Sequence, residues 1–94
     1  MNNLRSVVVT TAHKGVFFGY TSNSDHDELI TLNDARMCIY WAASVRGVLG
    51  LADGGPNKEC KVTPKIIKIT LRNITAVMEC SEKAALAWEK GFWA

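Results

Sequence analysis

From Val7 to Cys80 this chain offers only short runs of β-type residues, each soon closed by a turn signal; the first helical period begins at Ser81. That rhythm, short strands followed by one helix, points to a small, mainly β domain. Val7-Val8-Val9-Thr10 is β-branched and reads as a strand. Thr11 to Gly15 reads as a turn, and Val16 to Tyr20 as a second strand, with Val16, Phe18 and Tyr20 on one face and Phe17 on the other. Gly19 lets that strand bend. A polar loop, Thr21 to Glu28, leads to a third strand, Leu29 to Leu32. Asn33 to Arg36 reads as a turn, and Met37 to Ala42 as a fourth strand.

The next stretch, rich in glycine, allows one helical turn over Arg46 to Leu51, then a loop at Asp53-Gly54-Gly55-Pro56-Asn57. Cys60 to Thr63 is a short extended segment. In Lys65 to Arg72 alternation sets Ile67, Ile69 and Leu71 against Ile66, Lys68, Thr70 and Arg72, the pattern of a half-buried strand. Asn73 marks a turn or bulge before a last strand, Ile74 to Cys80. Ser81 reads as the N-cap of a helix that runs to about Lys90, with Glu82 in its first turn and Gly91 at its end. Ala84, Trp88 and Phe92 recur at helical spacing as one apolar stripe. The expected architecture is one domain over residues 1–94, mainly β (α+β): a strongly bent sheet, or a small SH3/Sm-like barrel, of five to six short strands with one C-terminal helix. The segment GVFFGY…ELITLNDA, from Gly15 to Ala35, is similar in rhythm to Sm-type barrels, a likeness of fold alone.

Net charge is +2, too small to argue for nucleic acid or a membrane by itself, but it is unevenly placed. Asp25, Asp27, Glu28 and Asp34 fall in a stretch without Lys or Arg, whereas Arg46, Lys58, Lys61, Lys65, Lys68 and Arg72 outnumber Asp53 and Glu59. An acidic end and a basic end fit two solvated faces, a basic site for an anion, or a head-to-tail contact between subunits. Cys38, Cys60 and Cys80 match neither a disulfide framework nor a zinc spacing, and Cys38 reads as a small core residue. No apolar run is long enough for a membrane span, and the opening MNNLRSVVVTT lacks a leader's apolar core. We therefore expect a reducing, cytoplasmic setting.

Catalysis and cofactors are not expected. His13 and His26 lie in loops without a nucleophile beside them, and the glycines match neither a dinucleotide nor a P-loop spacing. The acidic loop lacks the spaced ligands of a calcium site. The block Ala35 to Pro56 carries the binding expectation. Arg46 can grip a phosphate or carboxylate with its planar fork, or make a surface salt bridge. Trp41 can wall a pocket, or belong to the core if Met37, Ile39 and Trp41 point inward. Gly54 and Gly55 can offer backbone N–H groups to an anion, or form a plain turn. Lys58 completes the expected site from the basic stretch. Trp88, Phe92 and Trp93 are expected to dock on their own core or on a neighbouring subunit.

HKGVFFGY from His13, ITLNDARMCIYW from Ile30, GVLGLADGGP from Gly47, CKV from Cys60 and ITAVMECSEKAALAWE from Ile74 together resemble a family of small uncharacterised proteins of tailed phages and prophages. The ARxCIYW and GLAxxGP blocks are the specific part. The resemblance implies a phage origin and action in the host bacterial cytoplasm or a virion, and brings no catalytic residues. Accessory phage proteins of this size often act by binding, including sequestering components of host immunity. Three functions are compatible with these features. The first is a self-associating binding protein for a nucleotide-type anion. The second is a structural or assembly protein of the phage particle. The third is Sm-like binding of nucleic acid through the basic face.

Overall fold

The structure, a computed structural model, describes residues 4–12, 15–24 and 26–92. Among them are six strands: β1 (Arg5–Thr11), β2 (Val16–Thr21), β3 (Ile30–Tyr40), β4 (Lys61–Val62), β5 (Ile66–Leu71) and β6 (Ile74–Glu79). A 3-10 turn (Ala43–Val45) precedes helix α1 (Gly47–Asp53), and α2 (Glu82–Glu89) closes the described chain. All pairings are antiparallel. β3, β2, β1 and β6 lie side by side in that order, and β4 and β5 both pair with β3.

The sheet is wrapped rather than flat. β5 and β6 pair at opposite ends of it, yet only Arg72 and Asn73 separate them in the chain. Asn73 turns this corner with φ 55°, a conformation asparagine tolerates better than most side chains. Wrapping brings Leu71 of β5 and Val77 of β6 onto one strand-only core with Val7, Val9, Ile30 and Leu32. The opposite face of the sheet, bearing Val8, Val16, Phe18 and Cys38, packs against Leu51 and Ala52 of α1 and Trp88 of α2. β1 is thus buried on both faces, which is why its valines run without alternation. The mainly β, strongly bent sheet expected from the sequence is what the chain forms. So is the division of β2 that sends Val16, Phe18 and Tyr20 to one core and Phe17 to the other.

Four local expectations are corrected. Asn33 to Arg36 is not a turn between two strands but the kinked middle of a single strand, β3. Between Phe18 and Tyr20 of β2 the partner residue advances from Arg36 to Asn33, so β3 carries one extra residue, a β-bulge. Asp34 takes φ 50° there: its turn chemistry is used inside the strand. The bulge also shifts the phase of the rest of β3. Cys38 points into the core, whereas Ile39 and Tyr40 are 53% and 54% exposed, so Met37, Ile39 and Trp41 are not the inward set. On β5, Leu71 and Ile69 face inward as expected, but Ile67, opposite the bulge, is 88% exposed. Finally, the Arg46 to Leu51 turn is longer than expected, because α1 packs Leu51 and Ala52 into the core.

α2 begins at Ser81 as expected. The Ser81 hydroxyl accepts from Ala84 N at 3.0 Å and donates to Asp53 O at the end of α1, so one side chain joins both helix ends. Replacing it by alanine is expected to lower stability by roughly 1–2 kcal/mol. Urea denaturation checks this: the midpoint should fall at unchanged slope. Among the described residues no helix is long and apolar enough to cross a membrane.

Candidate functional site

The two helices and the loop between α1 and β4 enclose a cleft of about 680 Å³. Its size falls within the range of small-molecule sites, roughly 300–1,000 Å³. Arg46 stands at one side. It takes φ 72° and Gly47 comes next at φ 80°, and this left-handed pair turns the chain from the 3-10 turn into α1. The backbone sets this bend, and the residue is exposed. α2 supplies the facing wall. Lys83, Leu86, Ala87 and Lys90 fall at i, i+3, i+4 and i+7, on one face of the helix, while Ala84 and Trp88 turn into the core. The floor is Asp53 to Asn57, and Phe92 completes the rim.

The electrostatics of this cleft are one-sided. Arg46, Lys83 and Lys90 share it with a single carboxylate, Asp53. Among the described residues none forms an ion pair with those three cations. Like charges gathered on one concave surface repel, and an anion entering between them relieves that repulsion. A second cleft of about 630 Å³ lies at the β5–β6 corner, where Arg72 faces Asp27 and Glu28. The Asp27 carboxylate there already accepts from Asn23 Nδ2 at 2.9 Å and Ser24 N at 3.0 Å, contacts that hold its pKa below the ordinary carboxylate value. That corner is a poor anion site.

The expected site residues divide. Arg46, Gly54 and Gly55 come together at the cleft. Gly54 and Gly55 do not offer free N–H groups to an anion, however. Both donate to Gly50 O, at 2.8 and 3.1 Å, and so cap α1. Gly55, at φ 82°, lies so close to α2 that a β-carbon there would come within 2.8 Å of Ala84 O. The plain-turn alternative describes these two residues. Trp41 is not a pocket wall: it packs half-buried against the sheet–helix core. Lys58 is exposed outside the cleft.

Of the residues expected to dock on their own core or on a neighbouring subunit, Trp88 takes its own core, which corrects its place as a subunit contact. It is fully buried in its own chain, stacked on Phe18 with ring centroids 5.1 Å apart. Phe92 lines the cleft, and Trp93 lies outside the described residues, as does His13. Lys83, Leu86 and Lys90 were missed. Their signal was present as a second helical stripe on α2, beside the apolar one.

Around the site the helix ends are tied down. Glu89 accepts from Tyr20 Oη at 2.7 Å and pairs with Lys65 Nζ at 2.7 Å. Burial alone would raise the Glu89 pKa, but the bonds from Lys65 and Tyr20 outweigh it and hold it low. Burial pushes the Cys38 thiol up to about 11, and burial beside Glu79 pushes Cys80 up to about 12, so both stay protonated at neutral pH.

A family model described as a domain of unknown function (DUF6948) matches residues 4–88, and the chain belongs to that family. No curated protein and no solved structure gives a significant match.

Proposed function

We propose that this DUF6948 protein is a non-catalytic, phage-encoded binding protein that holds a nucleotide-type anion in the cleft between α1 and α2. It acts by sequestering that ligand, withdrawing a signal of host immunity in the bacterial cytoplasm. The observation that carries this reading is the convergence of Arg46, Lys83 and Lys90 on one concave surface with no protein carboxylate paired to them among the described residues. Arg46 supplies a planar fork suited to two parallel hydrogen bonds with a phosphate, and the lysines add point charges.

Self-association belongs to the same reading. β5 pairs with β3 on one side alone among the described residues, and it carries exposed Ile66 and Ile67 beside Lys68. An edge strand with bare isoleucines is a template for another chain, and a second copy covers it at least cost. The same edge favours the second reading, an assembly protein of the phage particle, which requires the chain in purified virions.

Calorimetry against a panel of nucleotides tests the first reading. Arg46→Ala should weaken the bound member by roughly 10- to 100-fold, as loss of a charge-assisted contact does. No heat with any nucleotide, or equal affinity in wild type and variant, removes it.

A further inference from the structure

The two residues that follow the α2 cap, Gly91 and Phe92, are firmly placed. Gly91 takes φ 62° and donates to Trp88 O at 3.1 Å, which turns the chain out of the helix. A β-carbon at Gly91 would fall 2.5 Å from Arg36 Nη1, and the positive φ there also favours glycine, so a larger residue would strain the backbone and displace that guanidinium. Arg36 is itself fixed, donating from Nη1 to Thr63 O at 2.9 Å and from Nη2 to Glu89 O at 3.2 Å. One residue on, Phe92 O accepts from Val62 N of β4 at 2.7 Å. These contacts hold the half-buried Phe92 where it lines the cleft that Arg46 and Lys90 also line.

We propose that Phe92 is the ring-binding wall of this site: an aromatic base stacks on it while the ligand's phosphates meet Arg46, Lys83 and Lys90. The inference rests on the anion-binding reading above and names the residue by which the site would tell a nucleotide from a bare polyphosphate. Two features of the cleft oppose a bare polyphosphate. Asp53 sets a carboxylate among the cations; it repels phosphate, whereas a ribose hydroxyl or an exocyclic amine can donate to it. The apolar surface of Phe92, Leu86 and Ala87 gives a polyphosphate nothing to bury against, whereas every base has a π-face that stacks on an aromatic ring.

The test is calorimetry of the whole chain with ADP and with pyrophosphate, on wild type, Phe92→Leu and Phe92→Tyr. The wild type should bind ADP more tightly than pyrophosphate. Phe92→Leu should weaken ADP roughly 5- to 100-fold and leave pyrophosphate unchanged, and Phe92→Tyr should keep ADP binding. Intermolecular NMR contacts between the Phe92 ring and adenine protons in the wild type report the same stack without relying on the folding of any variant. Pyrophosphate bound as tightly as ADP, ADP affinity unchanged in Phe92→Leu, or no ring contact would overturn the proposal and leave the anion reading standing. A wild type that binds neither ADP nor pyrophosphate would overturn this proposal, and one that binds no member of the nucleotide panel would overturn the anion reading as well.

Discussion

Replacing Trp88 by alanine is expected to cost about 3–5 kcal/mol, in line with other buried tryptophans. A domain of this kind has a total stability of roughly 5–15 kcal/mol, so this one change removes a large share of it. Trp88 joins three elements. Its ring lies stacked on Phe18 of β2 at an interplanar angle of 6°. Its Nε1 donates to Leu51 O of α1 at 3.0 Å, and its backbone belongs to α2. Alanine leaves a cavity against Phe18 and a buried carbonyl without its donor. Trp88→Phe keeps most of the apolar contact and loses the hydrogen bond, so it should cost less, about 1–3 kcal/mol. Thermal unfolding distinguishes the cases, because each kcal/mol shifts the midpoint by roughly 4–8 °C in a domain of this size. A loss below about 1 kcal/mol for Trp88→Ala would show that the helices are not held to the sheet through this ring.

Gly55→Ala is expected to be a strongly damaging single-methyl change beside the cleft. At φ 82° a β-carbon costs roughly 1–2 kcal/mol of backbone strain. The added atom also falls 2.6 Å from Ala87 Cβ and 3.0 Å from Ala84 Cα, so α2 must move or the loop must. Overpacking of this kind adds roughly 1–3 kcal/mol. The displaced wall is the one that carries Lys83, Leu86, Ala87 and Lys90, so ligand affinity should fall along with stability. Gly54→Ala is the control: its φ is −109°, and the nearest atom to its β-carbon is 3.8 Å away. Comparing melting temperatures of the two variants checks the argument. Equal losses would mean that the damage comes from glycine chemistry in the loop and not from contact with α2.

The sequence was legible where local chemistry and tertiary need agreed. The valines of β1, the alternation of β2, the cap at Ser81 and the Ala84–Trp88 stripe are all local signals, and each element formed where its signal stood. Arg46 was legible as a candidate because an arginine among glycines has little to pack against. β3 was misread for a physical reason. Asn33 and Asp34 carry the chemistry of a turn, but a residue with positive φ also builds a bulge, and only pairing with β2 and β5 decides between them. The bulge also sets the phase of the residues after it, and so leaves Cys38 in the core and Ile39 exposed, because a one-residue slip exchanges the faces of a strand.

For this protein, then, the sequence alone determined a small, mainly β domain with a strongly bent sheet and a capped C-terminal helix, and it singled out the turn at Arg46 as a candidate site. The tertiary structure decided which residues stand there with it. It turned Trp41 and Trp88 into the cores, used the N–H groups of Gly54 and Gly55 to cap α1, and brought Lys83, Lys90 and Phe92 to Arg46 from the far end of the chain. Strand and cap signals act over a few residues and can be read in order along the chain. A cleft is made by packing one helix against another, and nothing local records which faces will meet.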